Sequence, residues 1–221
     1  MRVSGVAMVL AALVVSGGAG MRAEAEPAVG GGEIEGLERW LDGTNDLTCR
    51  FEQRLLSGAL GAGTRESGVF YLLRPGRLRW DYLHPEPKTA IVEGARTLLY
   101  IPEDRQLIRG RLDPDQDLLP ALLAGRGAIG GLFDAEFLGY AGSGAARIFR
   151  VRLVPHAVRG GVEEVVLTVR TPGGAIEGAE VLDPAGNRMQ YLFTRVRRNT
   201  GLSASVFTFE PPPGTEIVDS P

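Results

Sequence analysis

The stretch RPGRLRWDY, Arg74 to Tyr82, decides how the rest of this 221-residue chain is read. Pro75-Gly76 makes a tight turn, because proline presets φ and glycine accepts the left-handed conformation. The residues after it alternate. Leu78, Trp80 and Tyr82 fall on one side, Arg77, Arg79 and Asp81 on the other. Successive side chains of a strand point to opposite faces, so this is a half-buried β-strand with an apolar face and a wet one. Without that parity, three arginines among aromatics would also fit a nucleic-acid stripe or an anion site. A formal net charge of −3 argues against nucleic acid, whose binding domains carry a basic surplus. Arg74 stands before the turn. Period two from Phe70 and Leu72 puts it on the apolar side, where a guanidinium needs partners.

The same alternation extends outward. Upstream, Leu47, Cys49, Phe51 and Leu55 alternate with Thr48, Arg50, Glu52 and Arg54, and Glu66–Leu73 forms the next strand. Downstream, strands are predicted at Thr89–Glu93, Thr97–Ile101, Gln106–Arg111, Glu136–Tyr140, Arg147–Val154, Glu163–Arg170, Ala175–Leu182, Arg188–Arg198 and Val206–Glu210. Turn residues separate them, notably Gly94, Pro102-Glu103-Asp104, Thr171–Gly174 and Asp183–Asn187. One amphipathic helix precedes the strands, with Ile34, Leu37 and Leu41 at i, i+3 and i+7. Two short apolar helices, Asp117–Ala124 and Ala128–Phe133, interrupt them. About eleven evenly spaced antiparallel strands predict a mainly β barrel or sandwich. No linker divides residues 26–221, which read as a single domain.

Residues 1–25 read differently. Arg2, the short apolar run Val6–Val15 and Ala23-Glu24-Ala25 have the layout of a cleaved secretory signal. Ten apolar residues are too few to span a bilayer, which needs about 20. Removing Arg2, Arg22 and Glu24 with the signal takes the formal charge from −3 to −4. The lone Cys49 cannot form an internal disulfide, and it lies too far beyond the apolar run to be a lipidation site. It reads as a small buried hydrophobe.

Catalytic chemistry has no foothold in the sequence. His84 and His156 each sit beside a proline, apart from any cysteine or carboxylate at ligand spacing. No G-x-S-x-G elbow and no phosphate-cradling glycine loop appears. Asp113, Asp115 and Asp117 alternate but lack the glycine and closing glutamate of a calcium loop. No catalytic residue, metal ligand or cofactor is predicted. The apolar strand faces have two possible fates, solid core or the wall of a hollow that takes an apolar ligand.

Six segments then carry a resemblance: LTCRFEQ (Leu47–Gln53), GVFYLLRPGRLRWDY (Gly68–Tyr82), IVEGARTLLYIPEDRQL (Ile91–Leu107), PALLAG (Pro120–Gly125), LDPAGN (Leu182–Asn187) and FTFEPPPGTEIV (Phe207–Val218). Their order and spacing resemble the LolA family of periplasmic lipoprotein carriers, from about Leu37 to Val218. The R-P-x-x-x-R-W and F-x-F-x-P-P-x-G blocks are the more specific parts. The resemblance implies an unclosed antiparallel β-barrel covered by a lid of short α-helices, and a carrier rather than an enzyme. It implies acyl chains of lipoproteins as cargo, an inner-membrane LolCDE-type transporter and an outer-membrane LolB-type receptor as partners, and a monomer. The arginine before the proline, here Arg74, would latch the lid. The cavity is expected to be lined by Phe70, Leu72, Leu78, Trp80 and Leu99 from strands, and by Leu118, Leu122, Leu123, Leu132 and Phe133 from the lid helices. A carrier of another lipid or glycolipid, or a lipid-sensing or protein-binding domain, remains open on these motifs.

Overall fold

A computed structural model describes residues 31–56, 63–111, 129–141, 147–156 and 161–220. Helix α1 (Gly31–Asp42) comes first and buries Leu37 and Leu41. Its end is closed by Thr44, whose Oγ1 donates to Trp40 O at 2.6 Å. Six strands follow: β1 (Asp46–Leu56), β2 (Arg65–Leu73), β3 (Arg77–His84), β4 (Lys88–Glu93), β5 (Arg96–Ile101) and β6 (Gln106–Arg111). A single helical turn, α2 (Ile129–Leu132), leads into β7 (Phe133–Ala141). Then come β8 (Arg147–Pro155), β9 (Glu164–Thr171), β10 (Ala175–Leu182) and β11 (Arg188–Arg198). After a 3₁₀ turn at Ala204–Phe207, β12 (Glu216–Asp219) is last.

All twelve strands form one sheet in the order β12-β6-β5-β4-β3-β2-β1-β11-β10-β9-β8-β7. β1 and β11 join its two halves across a long antiparallel pair, Leu47 opposite Arg198 to Leu56 opposite Arg188. Among the described residues no pairing joins β7 to β12, so the sheet stays open. Period-two burial gives it an inner face with two apolar clusters. The first gathers Leu37 and Leu41 of α1, Ile129, and the inward residues of β7 to β9 such as Phe133, Phe149, Val151, Leu153 and Val169. The second gathers Leu47, Cys49, Phe51, Phe70, Leu72, Leu78, Tyr82 and Val92. Trp40 of α1 packs against both. Each fully buried Leu, Val or Phe contributes about 1.5–3 kcal/mol relative to exposure, so these two clusters hold the curl together.

Three expectations need correction. Val206–Glu210 is not a strand. Ser203 Oγ accepts from Ser205 N at 3.3 Å and starts the 3₁₀ turn, which buries Phe207. The last strand is instead Glu216–Asp219, and it pairs parallel to β6 rather than antiparallel. Phe133 does not end a helix but opens β7, opposite Pro155 of β8. Arg79, expected on a wet face, lies beneath the C-terminal segment. Its Nη1 donates to Val206 O at 2.6 Å, and its Nε reaches both Asp81 carboxylate oxygens at 2.9 and 3.0 Å. Parity assigns a face correctly but does not say what later crosses it.

Candidate functional site

The inner face of β1 to β4 is a ladder of apolar rows fixed by strand register. Leu47, Leu72, Leu78 and Val92 form the first row. Cys49, Phe70, Trp80 and Ala90 form the second, and Leu99 and Ile108 continue it into β5 and β6. Phe51, Gly68 and Tyr82 form the third. Aromatic contacts stiffen the wall: Phe70 and Trp80 have ring centroids 4.8 Å apart, and Phe51 meets Tyr82 edge-on at 5.1 Å. A Cβ at Gly68 would lie 1.9 Å from Asp81 O, so only glycine allows β2 and β3 to close here.

Phe70, Leu72, Leu78 and Trp80, expected to line a cavity, therefore share one face and one cluster. Leu99 is buried on the same face. Leu132 and Phe133 belong to the other cluster, beside α1 and β8. Leu118, Leu122 and Leu123 lie outside the described residues.

Arg74 marks one end of the ladder. Its backbone N–H donates to Asn45 O at 2.8 Å, which fixes the turn between β2 and β3 against the start of β1. Gly76, with φ +72°, supplies the left-handed residue of that turn. The Arg74 Nε is buried without a hydrogen-bond partner among the described residues. Burial pulls the Arg74 pKa down, and the Asp42 charge works in the opposite sense. A desolvated N–H without a partner costs stability until an acceptor reaches it.

Next to it, Asp46 ties the C-terminal segment to the same corner. Its carboxylate accepts from Thr200 N at 2.8 Å, Thr200 Oγ1 at 3.0 Å and Gly201 N at 2.9 Å. Asn199 reinforces the junction by accepting from Asn45 N and donating to Gly43 O, both at 2.8 Å. Sequence reading missed Asp46, because nothing local marks a carboxylate whose partners lie more than 150 residues away.

The other end of the ladder is polar. Gln53, Glu66, Tyr82, Lys88 and Tyr191 meet there; Tyr82 was expected on the apolar face, and the other four were missed. The available signal was parity: Glu66 and Lys88 fall on the inner face of β2 and β4. On the outer face of β4 to β6, a pocket of about 390 Å³ has Ile91, Leu98 and Phe207 among its lining and Glu93, Arg96 and Arg109 around it. No helix among the described residues is long and apolar enough to cross a membrane.

Sheet order and inner face define an open β-barrel curled round an apolar surface. A family model described as outer membrane lipoprotein carrier protein LolA matches residues 42–210, and the chain belongs to that family. An outer-membrane lipoprotein carrier protein of Dechloromonas aromatica is 30% identical over 188 residues, 85% of this chain and 88% of that one. Another, from Methylococcus capsulatus, is 28% identical over 184 residues, covering 83% and 86%. The crystal structure of an uncharacterized conserved protein from Thermus thermophilus superposes with a TM-score of 0.56 at 12% identity. It covers 86% of this chain and 98% of that one, and it speaks to the fold alone.

Proposed function

We propose that the chain is a periplasmic carrier that shields the acyl chains of lipoproteins on its apolar inner face and moves them from the inner to the outer membrane. The observation that carries this reading is the continuous apolar ladder of β1 to β5 in a chain of the LolA family. Burying a methylene is worth about 0.8 kcal/mol, so a chain of a dozen methylenes gains roughly 10 kcal/mol from such a surface. That exceeds what any single polar contact supplies. The apolar wall holds the cargo, and no covalent chemistry is required of the protein.

Residues 1–25 act as the export signal in this reading. An inner-membrane transporter of the LolCDE type hands over the cargo, and an outer-membrane receptor of the LolB type takes it. Phe70, Leu72, Leu78, Trp80 and Leu99 form the wall, and Leu118, Leu122, Leu123 and Leu132 the cover, while Phe133, as the first residue of β7, belongs to the sheet. Arg74 is the latch. Its buried Nε, with no partner among the described residues, supports a carbonyl acceptor supplied by the cover when the site is empty. Cargo that displaces the cover breaks that contact, so holding and release are two states whose balance the cargo shifts.

Native mass spectrometry of the protein purified from its own periplasm tests this. An acylated protein should travel with it, and a bound non-protein lipid instead would replace the lipoprotein reading. Arg74→Leu should bind cargo and slow its transfer to a receptor. Unchanged transfer removes the latch.

A further inference from the structure

Strand parity demands apolar residues at Glu66 and Lys88, in line with Phe70 and Leu72 on β2 and with Ala90 and Val92 on β4. The chain places an ion pair there instead. Lys88 Nζ bonds Glu66 Oε1, and the two side chains are only 10% and 14% exposed. Gln53, 4% exposed, donates its Nε2 to Glu66 Oε2 at 3.2 Å and accepts from the Tyr82 hydroxyl at 3.3 Å. The Lys88 ammonium also lies 4.5 Å from the centre of the Tyr82 ring. Tyr191 faces Gln53 across the β1–β11 pair. Burial raises its pKa, and the Glu66 charge raises it further. Two well-packed apolar residues would serve stability as well or better, because a buried ion pair seldom repays its desolvation. Stability alone does not account for the cluster.

We propose that Gln53, Glu66, Tyr82, Lys88 and Tyr191 form the end wall of the acyl site and set the longest alkyl chain that the inner face buries. This rests on the carrier reading above. From the Leu72–Leu78 row to the Gly68–Tyr82 row the apolar ladder runs four residues, about 13 Å at the strand rise. A chain advancing past Tyr82 meets donors and acceptors already engaged with one another. A methylene can replace none of those bonds. Its further carbons stay in water and add nothing to binding.

The test uses saturated fatty acids from decanoate to arachidate, competing with a fluorescent fatty acid on the full mature protein. In the wild type each added methylene should tighten binding by about fourfold until the wall is reached, and then the gain should stop. In E66L/K88L the plateau should move to longer chains. Should that variant lose its cooperative melt, E66M/K88M keeps the side-chain length and gives the same readout. The conservative E66Q/K88Q keeps a polar wall and should leave the plateau in place. A wild type whose affinity keeps rising through the longest acid overturns the inference, as does a folded apolar double variant with an unmoved plateau. A wild type that binds no fatty acid at all overturns the carrier reading itself.

Discussion

Replacing Asp46 by asparagine is a direct test of what holds the C-terminal segment to the barrel. The substitution keeps side-chain size, so burial terms nearly cancel. What changes is the acceptor. In the wild type one carboxylate takes two backbone N–H groups and one hydroxyl within 3.0 Å. Hydrogen bonds to a charged group are worth roughly 1.5–3 kcal/mol against about 1 for neutral pairs, and the asparagine amide also turns a donor toward one of these donors. Together these give an expected loss of about 3 kcal/mol. For a domain of this size that is a fall in Tm of about 6–12 °C. The pH dependence adds a second check. Burial pushes the Asp46 carboxyl up, but the Thr200 and Gly201 N–H groups and the Thr200 hydroxyl outweigh it and hold it below the ordinary value of 3.8. A carboxyl depressed by folding stabilises fully above its unfolded pKa and loses that contribution as pH falls through the folded pKa. Urea and thermal melts should show a constant gap between wild type and D46N from neutral pH down to about pH 4, closing below it. A gap under about 1 kcal/mol at neutral pH, or one that persists in acid, refutes the assignment.

Three further outcomes are expected. Leu78 is fully buried, so Leu78→Ala should cost about 2–5 kcal/mol in urea unfolding, and a loss below about 1 would show that the ladder relaxes around it. Arg79→Met should cost about 1–2 kcal/mol and expose the segment after Arg198 to limited proteolysis, while an unchanged digestion pattern would detach Arg79 from that segment. Burial pushes the Cys49 thiol up to about 12, so it should resist iodoacetamide at about pH 8 until the protein is unfolded; stoichiometric labelling of the native protein would contradict its place in the wall.

The sheet was legible wherever one face is apolar and the other polar. Leu78, Trp80 and Tyr82 against Arg77, Arg79 and Asp81 gave β3 and its orientation directly, and the Pro-Gly pair gave the turn before it. The failures share a cause. Phe207 and Phe209 alternate like a strand, but a serine cap turns the chain, and the Phe209 ring packs at a tilt against Tyr100, centroids 5.0 Å apart, on the outer side. β12 is four residues long and its pattern is mostly exposed, so it carries little period of its own and exists because β6 offers it an edge. The candidate site divided the same way. Phe70, Leu72, Leu78 and Trp80 follow from period two within neighbouring strands. Asp46, Gln53 and Tyr191 depend on β1 meeting β11, a contact of long sequence separation that no local window contains.

The open seam between β7 and β12 has a mechanical meaning. In a closed barrel, girth is quantised by strand number and shear, and changing it breaks a whole line of hydrogen bonds. Here the ladder from β12 to β7 can flatten or tighten by small changes of twist at each of eleven strand pairs, with every backbone bond kept. The container is therefore compliant across its width and stiff along its strands. Under the carrier reading, cargo bulk then falls to changes of sheet twist, and cargo length to the polar end wall at Glu66 and Lys88.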